Sequence, residues 1–246
     1  FLERAFTISL DYLDDETDGS TDESREACMV TPEVIRALKH EGGMKCAERI
    51  VVLGSQPNSG ISEFHLCDST VRKTTVTSMV IDPESPNYVG LRSAITGEII
   101  KILKPGEGII SQKEAARIFG DANPIGAEYI KVSWNQQNST LVTIVDVYEN
   151  SACLGYDFTR QGLYYTKGPI EDNYYTPNIN ELWGLEVVLR EGYTMPQLQK
   201  EVDERLKPLG LKSKIKSVAK KINNEVKYIV KINSFVHLAG SLILFA

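Results

Sequence analysis

Apolar and polar residues alternate over AFTISLDYL near the start of the chain. Phe6, Ile8 and Leu10 share one side and Thr7, Ser9 and Asp11 the other, which predicts a strand with one buried face. A helical period follows at Thr31: Pro32 takes the first helical position, Val34, Ile35 and Leu38 line one face, and Gly42-Gly43 ends the element. RIVVL, residues 49–53, predicts a second strand. The same grammar returns late in the chain. In LEVVLRE, 185–191, Leu185, Val187 and Leu189 point inward and Glu186 and Arg190 outward, and a helix opens at Thr194. Thr194 and Gln197 stand at capping-box spacing, and Leu198, Val202, Leu206 and Leu209 recur every three or four residues before Gly210.

Two strand–helix units at opposite ends of a chain can pack side by side as one layer, with everything between them forming an inserted unit. That middle, about 67–180, is strand-rich. VRKTTVTSMVI, EIIKIL, LVTIVDVY and GLYY are β-branched or aromatic runs separated by Pro, Gly, Asn and Asp. Its clearest helix lies in SQKEAARIFGDANPIG, 111–126. Ser111 caps the first turn and Glu114 reaches back to it, and Ala115, Ile118 and Phe119 form the apolar face. Gly120 permits a left-handed exit, Pro124 prevents the helix from resuming, and Gly126 allows a bend before the strand-like AEYIKV. The glycines follow the helix, where the free backbone groups are carbonyls, so the stretch is not a phosphate loop.

Composition narrows the function. At 246 residues with 42% hydrophobic and 24% charged residues the chain is an ordinary globular one, and a net charge of -6 argues against nucleic acid as a partner. The charge is uneven: Asp11 to Glu26 holds eight carboxylates and one Arg, and Lys200 to Lys231 holds ten Lys and Arg and four acids. The cysteines, Cys28, Cys46, Cys67 and Cys153, have no CxxC spacing, which leaves their pairing open and gives no zinc signature. His40, His65 and His237 stand apart, without a second ligand at metal spacing. Asp14, Glu16, Asp18 and Gly19 imitate half a calcium loop, but Arg25 occupies the position of the bidentate Glu. Ser213-Lys216 and Ser217-Lys220 fit S-x-x-K inside a lysine-rich stretch where such matches arise by chance. No catalytic, cofactor or metal site emerges.

The chain opens FLERAFTISLDYL without a cleavable apolar leader and closes on FVHLAGSLILFA, twelve residues with no formal charge. Twelve helical residues cover roughly 18 Å of a ~30 Å hydrocarbon core, the first half of a membrane span or else a buried core helix. Val218, Ile222, Val226, Ile229, Ile232 and Val236 keep a helical period into that tail.

The stretch IISQKEAARIFGDANPIG, followed by a strand, a polar hairpin and LVTIVDVYEN, resembles the hallmark of the MacB-like periplasmic core domain of FtsX-family ABC transporter permeases. Ser111, Ala115, Phe119, Gly120, Pro124, Ile125 and Gly126 carry the resemblance; Ala127 and Asp146 depart from it. It implies an α+β fold in which a split, Porter-like α/β subdomain, 1–66 and 181–234, is interrupted by a β-rich, Sabre-like insertion, 67–180, with 235–246 beginning the second transmembrane helix. It further implies a non-catalytic domain on the periplasmic side of the inner membrane, without a cofactor. Its expected partners are a cytoplasmic ABC ATPase reached through the transmembrane helices, a second permease copy, and a periplasmic adaptor or substrate. The motif residues, with Glu114, would be its structural framework. A free-standing secreted module binding a peptide or glycan is the alternative that the residues leave open.

Overall fold

The structure, a computed structural model, describes residues 2–12, 30–39, 43–55, 58–131, 140–149, 162–169 and 182–220. The acidic segment with the half calcium loop, Cys28, His40, Gly42, Cys153, His237 and the apolar tail lie outside the described residues, as does the predicted helix from Ile222 onward.

The two ends of the chain build one antiparallel sheet. β1 (Ala5–Tyr12), β2 (Ala47–Ser55), β9 (Leu182–Leu189) and β10 (Leu211–Ser217) lie in the order β10-β1-β9-β2. Helices α1 (Pro32–Lys39) and α4 (Met195–Leu206) cover one face. Their stripes Val34, Ile35, Leu38 and Leu198, Val202, Leu206 pack on Ile8, Leu10, Val52, Leu185, Val187 and Ile215. The capping box forms as the spacing predicts, with Thr194 N–H donating to Gln197 Oε1 at 2.8 Å. Arg205 near the end of α4 donates to the Ala37 carbonyl, an acceptor that the end of α1 leaves free, and to the Gly43 carbonyl ahead of β2.

One sequence expectation is corrected here. Leu209 leaves the apolar stripe because Lys207–Leu209 tightens into a 3-10 turn, and its side chain is exposed. Gly210, at φ 70°, then turns the chain into β10. LKSKIKS is an edge strand whose alternation places Leu211 and Ile215 in the core and keeps Lys214 and Lys216 in solvent. Helical backbone resumes at 218–220.

The middle of the chain closes into a six-stranded barrel of order β3-β4-β8-β5-β7-β6. Its strands are β3 (Asn58–His65), β4 (Val71–Val80), β5 (Glu107–Ser111), β6 (Glu128–Lys131), β7 (Thr140–Tyr148) and β8 (Leu163–Tyr165). The barrel therefore begins at Asn58, ahead of the boundary at 67 that the sequence suggests, because β3 pairs with β4 and β6 rather than with the sheet. EIIKIL is not a strand. Ile100 and Leu103, three apart, turn into the core while Ile99 and Ile102 face out, and among the described residues its β-pairing is the isolated Arg92–Ile99 bridge.

Helix α3 (Gln112–Phe119) closes one end of the barrel, where Ala115, Ile118 and Phe119 are buried among Phe64, Tyr129, Val142 and Ile144. Phe119 meets Phe64 edge-on, with centroids 5.6 Å apart.

Candidate coupling interface

Because side chains on a strand alternate, a sheet with helices on one face presents a second set of residues on the other. On β2 and β9 that set is Val51, Leu53, Glu186 and Val188, and the side wall of the barrel covers it. The wall contributes Met79, Ile109, Tyr148 and Tyr164 from β4, β5, β7 and β8; Tyr148 and Tyr164 lie 5.3 Å apart by ring centroid. Between wall and sheet runs the connection from β4 to β5, which includes the short helix α2 (Ser85–Tyr88) and buries Tyr88, Val89, Leu91, Ile100 and Leu103. One apolar core thus spans both parts of the molecule.

Glu186 sits inside this seam, 1% exposed, rather than in solvent as its outward position on β9 suggests. Tyr88 Oη donates to Glu186 Oε2 at 2.7 Å, and Thr7 Oγ1 donates to Oε1 at 3.4 Å. Burial first, and then the Glu186 carboxylate, push the Tyr88 phenol far above its ordinary value, so it stays a donor. Three further ties join α2 and its approach to the sheet layer. Ser85 Oγ donates to Val52 O at 2.8 Å, Arg49 Nε pairs with Glu84 at 3.1 Å, and Lys39 Nζ at the end of α1 faces the buried Asp82 at 3.6 Å. An open groove of about 460 Å³ runs beside these pairs, lined by Lys39, Met44, Arg49, Ile50, Glu84 and Arg190. Of the charged groups lining it, Arg49 pairs with Glu84, Lys39 faces Asp82, and Arg190 donates to Ala47 O at 3.0 Å.

At one end of the barrel, α3 and its exit gather the motif residues that the sequence singled out. Ser111 Oγ accepts the Glu114 N–H at 3.2 Å, as a cap should. Glu114 does not reach back; its carboxylate takes the Arg117 guanidinium at 2.9 Å, and the Ser111 N–H donates instead to Gly162 O at 2.9 Å. Pairing of Ser111 in the ladder removes the donor that the reciprocal half of a capping box would use. Ala115 and Phe119 are buried, Gly120 holds φ 60° with ψ -121°, Ala127 N–H donates to Pro124 O, and Cys67 Sγ lies 3.7 Å from Ile125 O. Gly126, at φ 85°, donates its N–H to Ile144 O. All of these bonds lie within the protein.

Of the serine–lysine matches, Ser217 Oγ accepts the Lys220 backbone N–H at 3.4 Å, and Ser213 and Lys216 do not converge. Ser213 Oγ is engaged by Asp203 and Gln199 on the helix side of β10, and Lys216, three residues on, faces the opposite side. His65 faces Glu63 at 3.4 Å. Cys46 and Cys67 are free thiols. Among the described residues no group of three His, Cys, Asp or Glu could hold a metal ion, and no helix is long and apolar enough to cross a membrane. What the sequence reading missed is the seam itself. Its signal was a Glu amid apolar residues on a strand, which reads equally well as a solvated face.

No family model and no curated protein matches the chain. Solved structures do. The periplasmic region of MacB from Actinobacillus actinomycetemcomitans superposes with a TM-score of 0.53 at 12% identity, over 91% of this chain and 92% of that one. A domain of a proposed permease protein from Porphyromonas gingivalis gives 0.55 at 15% identity, over 88% and 91%. The extracellular domain of the noncanonic ABC-type transporter YknZ from Gram-positive bacteria gives 0.50 at 16%, over 85% and 99%. The likeness is one of fold, and it agrees with the α+β class that the motif resemblance implies.

Proposed function

We propose that this chain is the extracytoplasmic, non-catalytic domain of an ABC transporter permease subunit, passing ATP-driven movement across the membrane to a partner or substrate outside the cell. The observation that carries the reading is the seam. A sheet made from both ends of the chain is tied to an inserted barrel through one shared apolar core and the buried Glu186–Tyr88 bond. With both its ends in one sheet, such a domain receives displacement from two neighbouring transmembrane helices at once. The seam then hands that displacement to the barrel. The likeness in fold to domains of MacB and YknZ supports the same reading.

In this proposal residues 235–246 begin the second transmembrane helix and the domain lies on the periplasmic side of the inner membrane. The ATPase acts from the cytoplasm, a second permease copy completes the transporter, and the exposed surface meets an adaptor or substrate. Ser111, Glu114, Ala115, Phe119, Gly120, Pro124, Ile125 and Gly126 serve as the framework that closes the barrel. The test is made on the full transporter, with spin labels on exposed positions of the sheet and barrel in paired copies. Label distances between copies shift on ATP binding and return after hydrolysis; a domain that stays static through the ATPase cycle overturns the proposal.

A further inference from the structure

The connection from β4 to β5 is held differently by its two neighbours. Toward the barrel it is bonded backbone to backbone: Ile81 N–H donates to Tyr165 O at 2.9 Å, Ala94 N–H to Val147 O at 2.7 Å, and Glu149 N–H to Arg92 O at 3.0 Å. Ser93 Oγ adds a bond to Asp146 at 2.7 Å. Toward the sheet layer the ties run through side chains: Lys39 to Asp82, Arg49 to Glu84, Ser85 to Val52 O and Tyr88 to Glu186. Backbone ladders part as a unit, whereas side-chain ties can be released one by one. The connection therefore travels with the barrel, and the plane of separation lies against the sheet.

Along that plane the ties pass from wet to dry. At the groove the side chains of Glu84 and Arg49 are 40% and 35% exposed, and that of Lys39 is 27% exposed. Further along the connection Tyr88 and Glu186 are 4% and 1% exposed. An ion pair open to solvent contributes little, because water competes for both charges and salt screens them. Parting Tyr88 from Glu186 is far costlier, since it strands a carboxylate in an apolar core. Asp82, buried beneath Lys39, regains water once the groove widens, which offsets the loss of its partner. The two ends of β2 complete the asymmetry. The groove lies at its start, beside Arg49 and Ile50, and at its far end, past Ser55, the chain itself continues into the barrel. One edge of the seam is tethered by the chain, and the other is only clasped.

We propose that the seam is a hinge whose clasp is the Arg49–Glu84 and Lys39–Asp82 pairs and whose pivot is the buried Tyr88–Glu186 bond. It opens at the groove when the clasp is released, and the barrel swings with its connection as one piece away from the start of β2. Ionic strength, and any charged molecule that competes for the clasp, sets how often it opens. The hinge needs neither a membrane nor an ATPase, so it stands without the transport reading.

Opening is read in the intact chain from the alkylation rate of single engineered thiols, resolved from the native cysteines by peptide mass. Val51→Cys places a thiol in the seam, and Val202→Cys places one in the core under α4, both at buried positions. The seam thiol is expected to label faster than the α4 thiol, which waits for global unfolding. Raising NaCl from roughly 0.05 to 0.5 M shortens the screening length to about 4 Å. That change should speed Val51→Cys by roughly twofold to fivefold and leave Val202→Cys unchanged. With Arg49→Ala added, the seam thiol labels at low salt as the parent does at high salt. Arg49→Glu combined with Glu84→Arg restores both the slow rate and the salt response. Tyr88→Phe, which weakens the pivot, speeds labelling at every salt concentration. Equal rates at the two thiols, or a seam rate that neither salt nor the Arg49 variants move, overturns the hinge.

Discussion

Glu201 shows how one carboxylate can settle a junction. From α4 it accepts the Lys45 and Cys46 N–H groups at 2.7 and 2.8 Å, closing the backbone at the entry to β2. Burial alone would raise its pKa, but those backbone donors outweigh it and the net shift is downward. The neighbouring Cys46 thiol moves the other way, pushed up to about 11 by burial and then by the Glu201 carboxylate, so it stays protonated and unreactive. A folded-state pKa below the unfolded value of about 4.3 means that the ionised group stabilises the fold at neutral pH. That stabilisation is lost as pH falls through the folded-state value. Glu201→Gln should therefore lower stability to urea at pH 7, with a gap from the parent that narrows below about pH 4; a gap constant across that range would assign the loss to packing. Glu186 is the counterpart that sequence could not resolve. Alternation correctly separates it from Leu185 and Val187. Only the Tyr88 hydroxyl, 98 positions away, shows that its side of the sheet is covered.

Elements with local signals were legible. The cap at Ser111, the face Ala115–Ile118–Phe119 and the stop at Gly120 each depend on residues within one or two turns, and α3 forms where they place it. The Gly120 exit can be tested alone. A Cβ added there meets nothing within 4 Å, so the cost of Gly120→Ala is conformational: an L-residue at φ 60°, ψ -121° is strained by about 1–3 kcal/mol. Urea denaturation should show that loss with the slope unchanged, since the barrel end remains packed. Less legible were the elements whose partners are distant. β10 draws no assignment from its lysine-rich sequence, and it is pairing with β1, from Phe6↔Ser217 to Tyr12↔Leu211, that fixes it as a strand. EIIKIL has the β-branched composition of a strand, but no neighbour offers it a ladder, and the seam selects Ile100 and Leu103 at a spacing of three.

Across the whole molecule, the distinction between sheet and barrel matters less than the strand that passes from one to the other. β2 pairs with β9 in the sheet through Ser55, and β3 begins in the barrel at Asn58. Gly54 lies at that crossing, beside the end of β4. A Cβ there would run into Met79 Cε and stand 2.8 Å from Val80 O. The methionine can swing aside, but the carbonyl belongs to backbone, so Gly54→Ala can be accommodated only if β2 withdraws from β4. Overpacking of this kind costs about 1–3 kcal/mol, and here it falls on the contact that holds the two parts together. The parent, with one core continuous across the seam, should melt in a single calorimetric transition. Gly54→Ala should lower the midpoint and split or broaden that transition, with amides of the sheet and barrel exchanging at separate rates. Gly126→Ala, strained at φ 85°, 3.3 Å from Cys67 Sγ and bonded to Ile144 outside the seam cluster, supplies the control: it should lower the midpoint and leave the transition single. If both variants melt in one sharp step, the seam is stronger than the crossing at Gly54, and the barrel must move with the sheet as a rigid body.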